Sequence, residues 1–261
     1  MNSKKLVEEL PNSELYELSK IWQKLNLEWK LYSGLTVKVK SHAEWKAYND
    51  IFVDREYDTS IQHALESRVN PDKFTFLDLG ANVGFFTIKV ADLILQHNNS
   101  EIDFRGVLVE GSPSVYSELQ QRIDQEPHFS KKLQLIHGLI GEPKGVGKIF
   151  ESDFHITNSL FSNNLSERKS QVKYIDLNDL CKSDREIDLL KSDIQGSELS
   201  FLENYHQHLL KKVRCAIFEI HHDICDAERC LNILGTEFPR QKQLKIKNSH
   251  SSRLSLHYFW R

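Results

Sequence analysis

From Pro71 to the end of the sequence, short apolar runs alternate with stretches of helical periodicity, and this alternation limits the folds that the chain can adopt. Buried strands are predicted at 74–80, 104–110, 133–140, 188–194 and 213–221, with helices at 85–95, 114–123, 197–210 and 226–235. Strands that alternate with helices form a mainly parallel sheet with helices on both faces. Two last strands, 244–247 and 254–260, are separated only by a polar turn, which predicts an antiparallel C-terminal hairpin. The expected fold is therefore α/β and Rossmann-like, with a mostly parallel sheet of seven strands.

The 261 residues are enough for one α/β domain and a modest extension. We predict a mainly helical extension or cap over 1–70 and the α/β domain over 71–261. Within the extension, apolar residues spaced by three and four predict an amphipathic helix over 12–30, and the alternation at 35–39 predicts a strand. Its tryptophans are compatible with core packing, with a lid or with a dimer surface. The polar stretch 141–171 is predicted to be a long irregular loop.

Composition and charge argue against several classes of protein. A formal net charge of −3 lacks the cationic excess that a general nucleic-acid binder needs, so no nucleic-acid partner is expected. Lys242, Lys245 and Lys247 fit the solvated face of a strand. The sequence shows neither an apolar signal core nor an apolar run of membrane-spanning length. We therefore expect a cytoplasmic protein without a membrane span.

The four cysteines form no CxxC pair and show no disulfide-framework spacing, which is typical of a reducing compartment. A cluster at 221–225, followed by Cys230, contains histidine, aspartate and cysteine. It lacks a matching second half of a zinc site elsewhere in the sequence. No metal site is predicted.

The segment Asp78-Leu-Gly-Ala-Asn-Val-Gly84 lies where the first predicted strand of the α/β domain leads into a helix. Glycines at such a junction let the backbone turn tightly and approach a ligand, and the ligand crevice of an open parallel sheet lies at this end of the strands. A nicotinamide dehydrogenase would show Gly-x-Gly-x-x-Gly. Here an acid precedes the first glycine and Asn82 replaces the second. This pattern disfavours a pyrophosphate and favours a ligand with an ammonium group, such as S-adenosylmethionine.

Glu110 ends the next predicted strand, 32 residues beyond Asp78. A carboxylate at that point can accept hydrogen bonds from both hydroxyls of a ribose, which serves NAD and S-adenosylmethionine alike. A structural interpretation stays open for both acids: Asp78 caps its own loop, and Glu110 is an exposed strand end.

Two segments together resemble the FkbM family of methyltransferases: 76–87, which contains the Asp78–Gly84 loop, and Lys191-Ser-Asp-Ile-Gln-Gly-Ser-Glu198. Further matches lie at 52–57, 174–180 and 217–221, so the resemblance covers about residues 50–260. One departure is Gln195, which stands where the family usually has glutamate. The resemblance implies a class I methyltransferase sheet, S-adenosylmethionine as methyl donor, and usually O-methylation of a sugar or a natural product.

The resemblance also implies roles for individual residues. The methionine part of the cofactor would contact Asp78, Gly80, Ala81, Asn82 and Gly84. Glu110 would hold the ribose, Ser112 and Ile140 would lie near the adenine, and Tyr57 would close over the cofactor.

An alcohol is a poor nucleophile until its proton is being removed, so a nearby base is expected. Asp193, at the end of the fourth predicted strand, is the first candidate, and His221, at the end of the fifth, is the second. Asp193 is also compatible with orienting the sulfonium or capping the next helix, and His221 with a structural strand-end role. Candidates for contact with the acceptor are Asn158 and Ser159 in the long loop, with Gln195 and Glu219.

The main hypothesis is therefore an O-methyltransferase for a sugar, a glycan or another small hydroxylated molecule. A methyltransferase for a nitrogen or a phosphoryl-type oxygen is a second reading of the same residues. A third is a nucleotide-binding scaffold without catalysis, for which Gln195 is the only support. A nicotinamide oxidoreductase fits poorly because the glycine pattern differs.

Overall fold

The computed structural model describes residues 20–22, 24–25, 27–96, 102–151, 168–180, 186–248 and 253–261. Its strands are β1 (Leu27–Lys30), β2 (Thr36–Val39), β3 (Lys73–Leu79), β4 (Asp103–Glu110), β5 (Leu133–His137), β6 (Val146–Glu151), β7 (Arg168–Lys173), β8 (Ile187–Ser192), β9 (Val213–His221), β10 (Arg240–Asn248) and β11 (Arg253–Trp260). Its α-helices are α1 (His42–Tyr48), α2 (Asp58–Glu66), α3 (Phe85–Gln96), α4 (Pro113–Asp124), α5 (Leu177–Leu180), α6 (Glu198–Tyr205) and α7 (Ala227–Glu237).

Three short helical segments complete the described elements. A π-helical turn, Asn49–Val53, continues α1, and 3₁₀ turns cover Pro127–Phe129 and Leu210–Lys212. Within the part of the chain that the structure describes, no helix combines the length and the apolar character needed to cross a membrane.

Seven strands form the central sheet in the order β10-β11-β9-β8-β3-β4-β5. The pairs β9–β8, β8–β3, β3–β4 and β4–β5 are parallel, whereas β11 is antiparallel to both of its neighbours. The predicted α/β fold, with a mostly parallel sheet and an antiparallel C-terminal hairpin, is confirmed. Strand order reverses at β3, because β4 and β5 follow on one side and β8 and β9 on the other.

Each face of the sheet has its own hydrophobic core, because alternate side chains of a strand point to opposite faces. On β3, Phe74 and Phe76 belong to one core and Leu77 and Leu79 to the other. Helix α3 packs into the first core, while α6 and α7 pack into the second. Strand β8 is buried along all six residues, as expected for a central strand covered on both faces.

Two hairpins lie outside the central sheet, and both differ from the sequence prediction. The predicted helix over 12–30 is wrong at Leu27–Lys30, which forms β1 and pairs with β2. There Leu27 and Trp29 are partly buried while Glu28 and Lys30 are exposed, which is the alternation of a strand. The apolar residues spaced by three and four over the longer stretch 12–30 obscured this alternation. Residues 20–22 and 24–25 are helical, as predicted, and residues 12–19, 23 and 26 lie outside the described residues.

The second hairpin, β6–β7, occupies both ends of the stretch that was predicted to be irregular. Its buried side chains are few: Ile149 and Val172 pack with Leu139 and Tyr174. Strands this polar give little periodic signal, so composition suggested a loop. The predicted boundary between an extension at 1–70 and a domain at 71–261 stays a prediction, although Val37 and Ile61 share one core with β3.

We expect Phe218→Ala to lower the free energy of unfolding by about 3–5 kcal/mol. Phe218 is fully buried on β9, and its ring centroid lies 6.0 Å from that of Phe201 and 6.1 Å from that of Phe259. Urea denaturation checks this value. Tyr32→Ala is the control, because Tyr32 is 95% exposed and its loss should change stability by about 0.5 kcal/mol or less. Equal effects of the two substitutions would contradict the packing described for β9.

Candidate functional site

A pocket opens where β3, β4, β8 and β9 end, beside the strand at which the order of the sheet reverses. Open α/β sheets bind their ligands at this position. The lining includes loop residues after β3, β4, β5 and β8. Lys46, Asp50 and the buried Tyr57 line it from the N-terminal segments, and Lys247 and Leu254 line it from the C-terminal hairpin. The chain therefore brings residues that are far apart in sequence to one concave surface.

The turn after β3 is fixed by two neighbouring loops. The amides of Gly80 and Ala81 both donate to the carbonyl of Val109 at 3.0 Å, and the amide of Asp193 donates to the carbonyl of Leu79 at 3.0 Å. Gly80 has φ +73°, and a Cβ atom added there would lie 1.8 Å from the carbonyl oxygen of Asp193. No side chain fits in that space. Glycine is thus required here both by the backbone conformation and by the close approach of the loop after β8.

Asn82 and Gly84 complete the turn into α3. Asn82 has φ +49°, a conformation that asparagine tolerates better than most residues, and its Oδ1 accepts from the amide of Val83 at 2.8 Å. Gly84 has φ +87°, and a Cβ atom there would lie 2.8 Å from Cδ1 of Leu119. Asn82 lines the pocket, whereas Gly84 allows α3 to start close to α4.

Glu110 at the end of β4 is held by two backbone amides. Oε1 accepts from Ser112 and Oε2 from Asn82, both at 2.8 Å. Burial raises the pKa of Glu110, and the amides of Ser112 and Asn82 oppose that rise by favouring the charged form. Each carboxylate oxygen keeps further acceptor capacity, and Glu110 lines the pocket. The group can therefore accept two hydrogen bonds from a vicinal diol.

Asp78 differs from the predicted direct contact with a ligand. Its side chain is fully buried, and it does not contribute to the pocket lining as described. Oδ2 accepts from Oγ1 of Thr87 at 3.2 Å, and Oδ1 lies 3.4 Å from Nζ of Lys191. Burial raises the pKa of Asp78, although Lys191 and Thr87 favour the charged form. Asp78 thus contacts Lys191, which in turn donates to the carbonyl of Gly80, and its predicted contact with the cofactor stays a prediction.

Lys191 also lines the pocket, although the sequence analysis assigned it no role. Its Nζ donates to the carbonyl of Gly80 at 2.7 Å and lies 3.9 Å from a carboxylate oxygen of Asp193. Burial alone would lower the pKa of Lys191, but the carboxylates of Asp78, Asp193 and Glu219 outweigh it and raise the pKa. A signal was present in the sequence, because a lysine within a buried strand needs charged or polar partners.

Asp193 and Gln195 form the turn after β8. Gln195 has φ +52°, and its Nε2 donates to Oδ1 of Asp193 at 2.9 Å. Both residues line the pocket, and the side chain of Asp193 is 25% exposed. A glutamate in place of Gln195 would put a second negative charge against Asp193.

His221 and Glu219 lie on one face of β9, because they are two residues apart on a strand. Nδ1 of His221 is 2.9 Å from Oε1 of Glu198, which is fully buried on α6. Burial lowers the pKa of His221, but the hydrogen bond to Glu198 and the charges of Glu198, Asp193 and Glu219 raise it to about 9. Burial and the charge of Asp193 raise the pKa of Glu219 to about 7. Glu219 lines the pocket, whereas His221 stands behind it.

The remaining predicted residues divide into three groups. Tyr57 and Ile140 line the pocket, and the ring of Tyr57 packs edge-on against Phe86 at 5.3 Å. Ser112 is fully buried and caps the start of α4, where its Oγ accepts from the amide of Val115 at 3.3 Å. Asn158 and Ser159 lie outside the described residues.

The entrance of the pocket contains a second residue that sequence reasoning missed. Lys247 was predicted on a solvated strand face, but its side chain is 18% exposed and lines the pocket. Nζ lies 3.0 Å from Asp50 and 2.9 Å from Glu56. Lys245 pairs with Asp54 and Glu56 beside it. Strand β10 is therefore joined by ion pairs to the segment that precedes Tyr57.

A family profile described as "Methyltransferase FkbM domain" matches residues 78–248. The match covers more than half of the chain and confirms the resemblance noted in its sequence. No curated protein matches the sequence.

Three solved structures illustrate the similarity of the chain to known proteins. Methyltransferase FkbM from Methylobacillus flagellatus KT is 15% identical, with a TM-score of 0.46 over 95% of this chain and 59% of that one. The N-terminal domain of EvdMO1, solved with SAH bound, is 12% identical, with a TM-score of 0.48 over 96% and 97%. The N-terminal domain of human METTL16, in complex with SAH, is 9% identical, with a TM-score of 0.44 over 97% and 96%. These values are too low to carry a substrate or a binding mode over to this chain.

We expect Gly80→Ala to destabilise the protein more than Gly34→Ala. Both glycines have positive φ, so each alanine is strained by about 1–2 kcal/mol. A Cβ at Gly34 meets nothing within 4 Å, whereas one at Gly80 meets the carbonyl of Asp193. Thermal denaturation of the two variants checks the difference. Equal melting temperatures would show that the two loops do not approach as closely as described.

Proposed function

The chain belongs to the FkbM family of S-adenosylmethionine-dependent methyltransferases, and we propose that it methylates a hydroxyl of a sugar, a glycan or a small natural product. The observation that carries the proposal is the position of two carboxylates around the Gly80 turn. Glu110 lies on one side, held as a double acceptor, and Asp193 lies on the other, where it lines the same pocket. One acid suits a nucleoside and the other suits an acceptor hydroxyl.

The pocket offers complementary groups for each part of the methyl donor. Glu110 accepts hydrogen bonds from the ribose hydroxyls, with Asn82 and Ser112 holding its two oxygens in place. Leu139 and Ile140 supply an apolar surface for the adenine. The backbone of Gly80 and Ala81 approaches the methionine part, for which Asp78 and Lys191 fix the loop from below. Tyr57 covers the cofactor from the entrance.

S-adenosylmethionine supplies an electrophilic methyl group on a sulfonium. With this group bound, the acceptor oxygen would form a bond to the methyl carbon as the carbon–sulfur bond breaks, and sulfur would keep the electron pair. Asp193 accepts the hydroxyl proton, and Gln195 holds the carboxylate through Oδ1. We assign the proton to Asp193 rather than to His221, because Asp193 lines the pocket and His221 does not, and because a pKa of about 9 keeps His221 protonated at neutral pH. Positioning of the hydroxyl in line with the methyl group supplies much of the acceleration.

We expect Glu110→Gln to weaken binding of S-adenosylmethionine and S-adenosylhomocysteine by roughly 10- to 100-fold. The NH₂ group of the glutamine would face one of the two backbone N–H groups that Glu110 now accepts from. The substitution would also remove a charged acceptor from the ribose hydroxyls, which costs about 1.5–3 kcal/mol per hydrogen bond. Isothermal titration calorimetry gives the dissociation constants. Glu228→Gln on the exposed side of α7 is the matched control and should bind as the wild type does. Absence of binding by the folded wild type would refute the proposed cofactor site.

We expect Asp193→Asn to lower kcat for a hydroxylated acceptor by roughly 10²- to 10⁴-fold, because the asparagine cannot take the proton. The dissociation constant for S-adenosylhomocysteine should change far less. Radiolabelled methyl transfer to a panel of sugars and natural-product alcohols measures the effect, with Asp54→Asn, 55% exposed, as the control. Methylation of amines or phosphoryl oxygens only, or full activity of Asp193→Asn, would refute the proposed reaction.

A further inference from the structure

Asp193, Glu219 and His221 form a carboxylate–histidine cluster at the inner end of the pocket. One ligand atom from each residue can be chosen so that all three lie within 4.8 Å of one another. Asp193 follows β8, and β8 pairs in parallel with β9, which carries the other two residues. The sheet thus places three possible ligands for one metal ion side by side.

The ring of His221 is oriented as metal-binding histidines usually are. Its Nδ1 is 2.9 Å from the Glu198 carboxylate, whose same oxygen accepts from the amide of Gly196 at 3.1 Å. Glu198 is fully buried, so the ring is held by a fixed acceptor. A carboxylate behind a ligating histidine sets its tautomer and leaves the other nitrogen free for the ion.

Nε2 of His221 faces Glu219 without a hydrogen bond. Its nearest recorded carboxylate oxygen, Oε1 of Glu219, is 3.7 Å away, and the described residues give Nε2 no other partner. His221 is only 8% exposed. The two ring nitrogens therefore differ: Nδ1 is engaged by Glu198, whereas Nε2 faces Glu219 beyond hydrogen-bond distance.

Two lysines lie near the cluster, and each also contacts other groups. Despite burial, the charges of Asp78, Asp193 and Glu219 raise the pKa of Lys191, and those of Glu219, Asp50 and Glu56 raise the pKa of Lys247. Lys191 donates to the carbonyl of Gly80 and lies closer to Asp78, at 3.4 Å, than to Asp193, at 3.9 Å. Lys247 contacts Asp50 and Glu56. By contrast, the other acidic group in the described part of the chain, Asp50, Asp54 and Glu56, is neutralised by Lys245 and Lys247 and needs no ion.

We propose that the carboxylate–histidine cluster binds one divalent cation of the first transition row, with Mn²⁺ as the best match to two carboxylates and one imidazole. The ion would hold the acceptor hydroxyl and favour loss of its proton to Asp193. Binding of the ion stands on the cluster alone. Only its role rests on the proposed methyl transfer.

The test uses the full chain, freed of metal with a chelator and then dialysed. Mn²⁺ is titrated into the protein and followed by electron paramagnetic resonance and calorimetry. We expect one ion per chain, with affinity lowered at least about tenfold by His221→Ala and by Glu219→Gln. Glu198→Gln should weaken binding by about 10- to 100-fold, because Glu198 positions the ring without touching the ion. Asp54→Asn removes a carboxylate from the neighbouring acidic group and should leave the affinity unchanged.

Binding of S-adenosylhomocysteine is measured for every variant and shows which of them are folded. If the wild type binds S-adenosylhomocysteine but not Mn²⁺, the cation site is refuted and the proposed function stands. If His221→Ala and Glu219→Gln bind Mn²⁺ as tightly as the wild type, the ion lies elsewhere and the proposal is also refuted. If Mn²⁺ binds as expected but no acceptor is methylated, the cation site stands and the proposed reaction fails.

Discussion

The buried ammonium of Lys191 is the group around which the pocket is organised. A charge removed from water costs several kcal/mol unless acceptors surround it. Here the acceptors are the carbonyl of Gly80 and the carboxylate of Asp78, with Asp193 farther away. They belong to the loops that we assign to the cofactor and to the acceptor. One buried charge therefore couples the two halves of the site.

Much of the fold was predictable because burial leaves a clear pattern. The central strands β3, β8 and β9 are short apolar runs followed by helices. A central parallel strand is covered on both faces, so nearly all of its side chains must be apolar. The hairpins β1–β2 and β6–β7 were missed for the opposite reason. Leu27 and Trp29 fit two periodicities at once, and β6 and β7 have too few apolar residues to show alternation.

The candidate site was predictable where a residue type is demanded by backbone geometry. Gly80 and Asn82 stand at positive φ, and Glu110 ends its strand beside them, so their types and spacing carried the information. The role of Asp78 was not visible, because its partner Lys191 is 113 residues away in the sequence. Nor was the capping role of Ser112, although the serine–proline pair at 112–113 is a common start of a helix. The carboxylate–histidine cluster has no spacing motif, because its members come from two strands.

The register of β3 has a consequence for the order in which the protein assembles. β4, which pairs with one edge of β3, follows it closely in the chain, whereas β8, which pairs with the other edge, follows more than a hundred residues later. Pairings between segments so distant are slow to form, because the chain between them loses much of its freedom. The Gly80 turn cannot contact the carbonyl of Asp193 until β8 has joined the sheet. The half of the sheet that holds Glu110 can thus fold early, while the pocket itself is completed only when the late strands arrive.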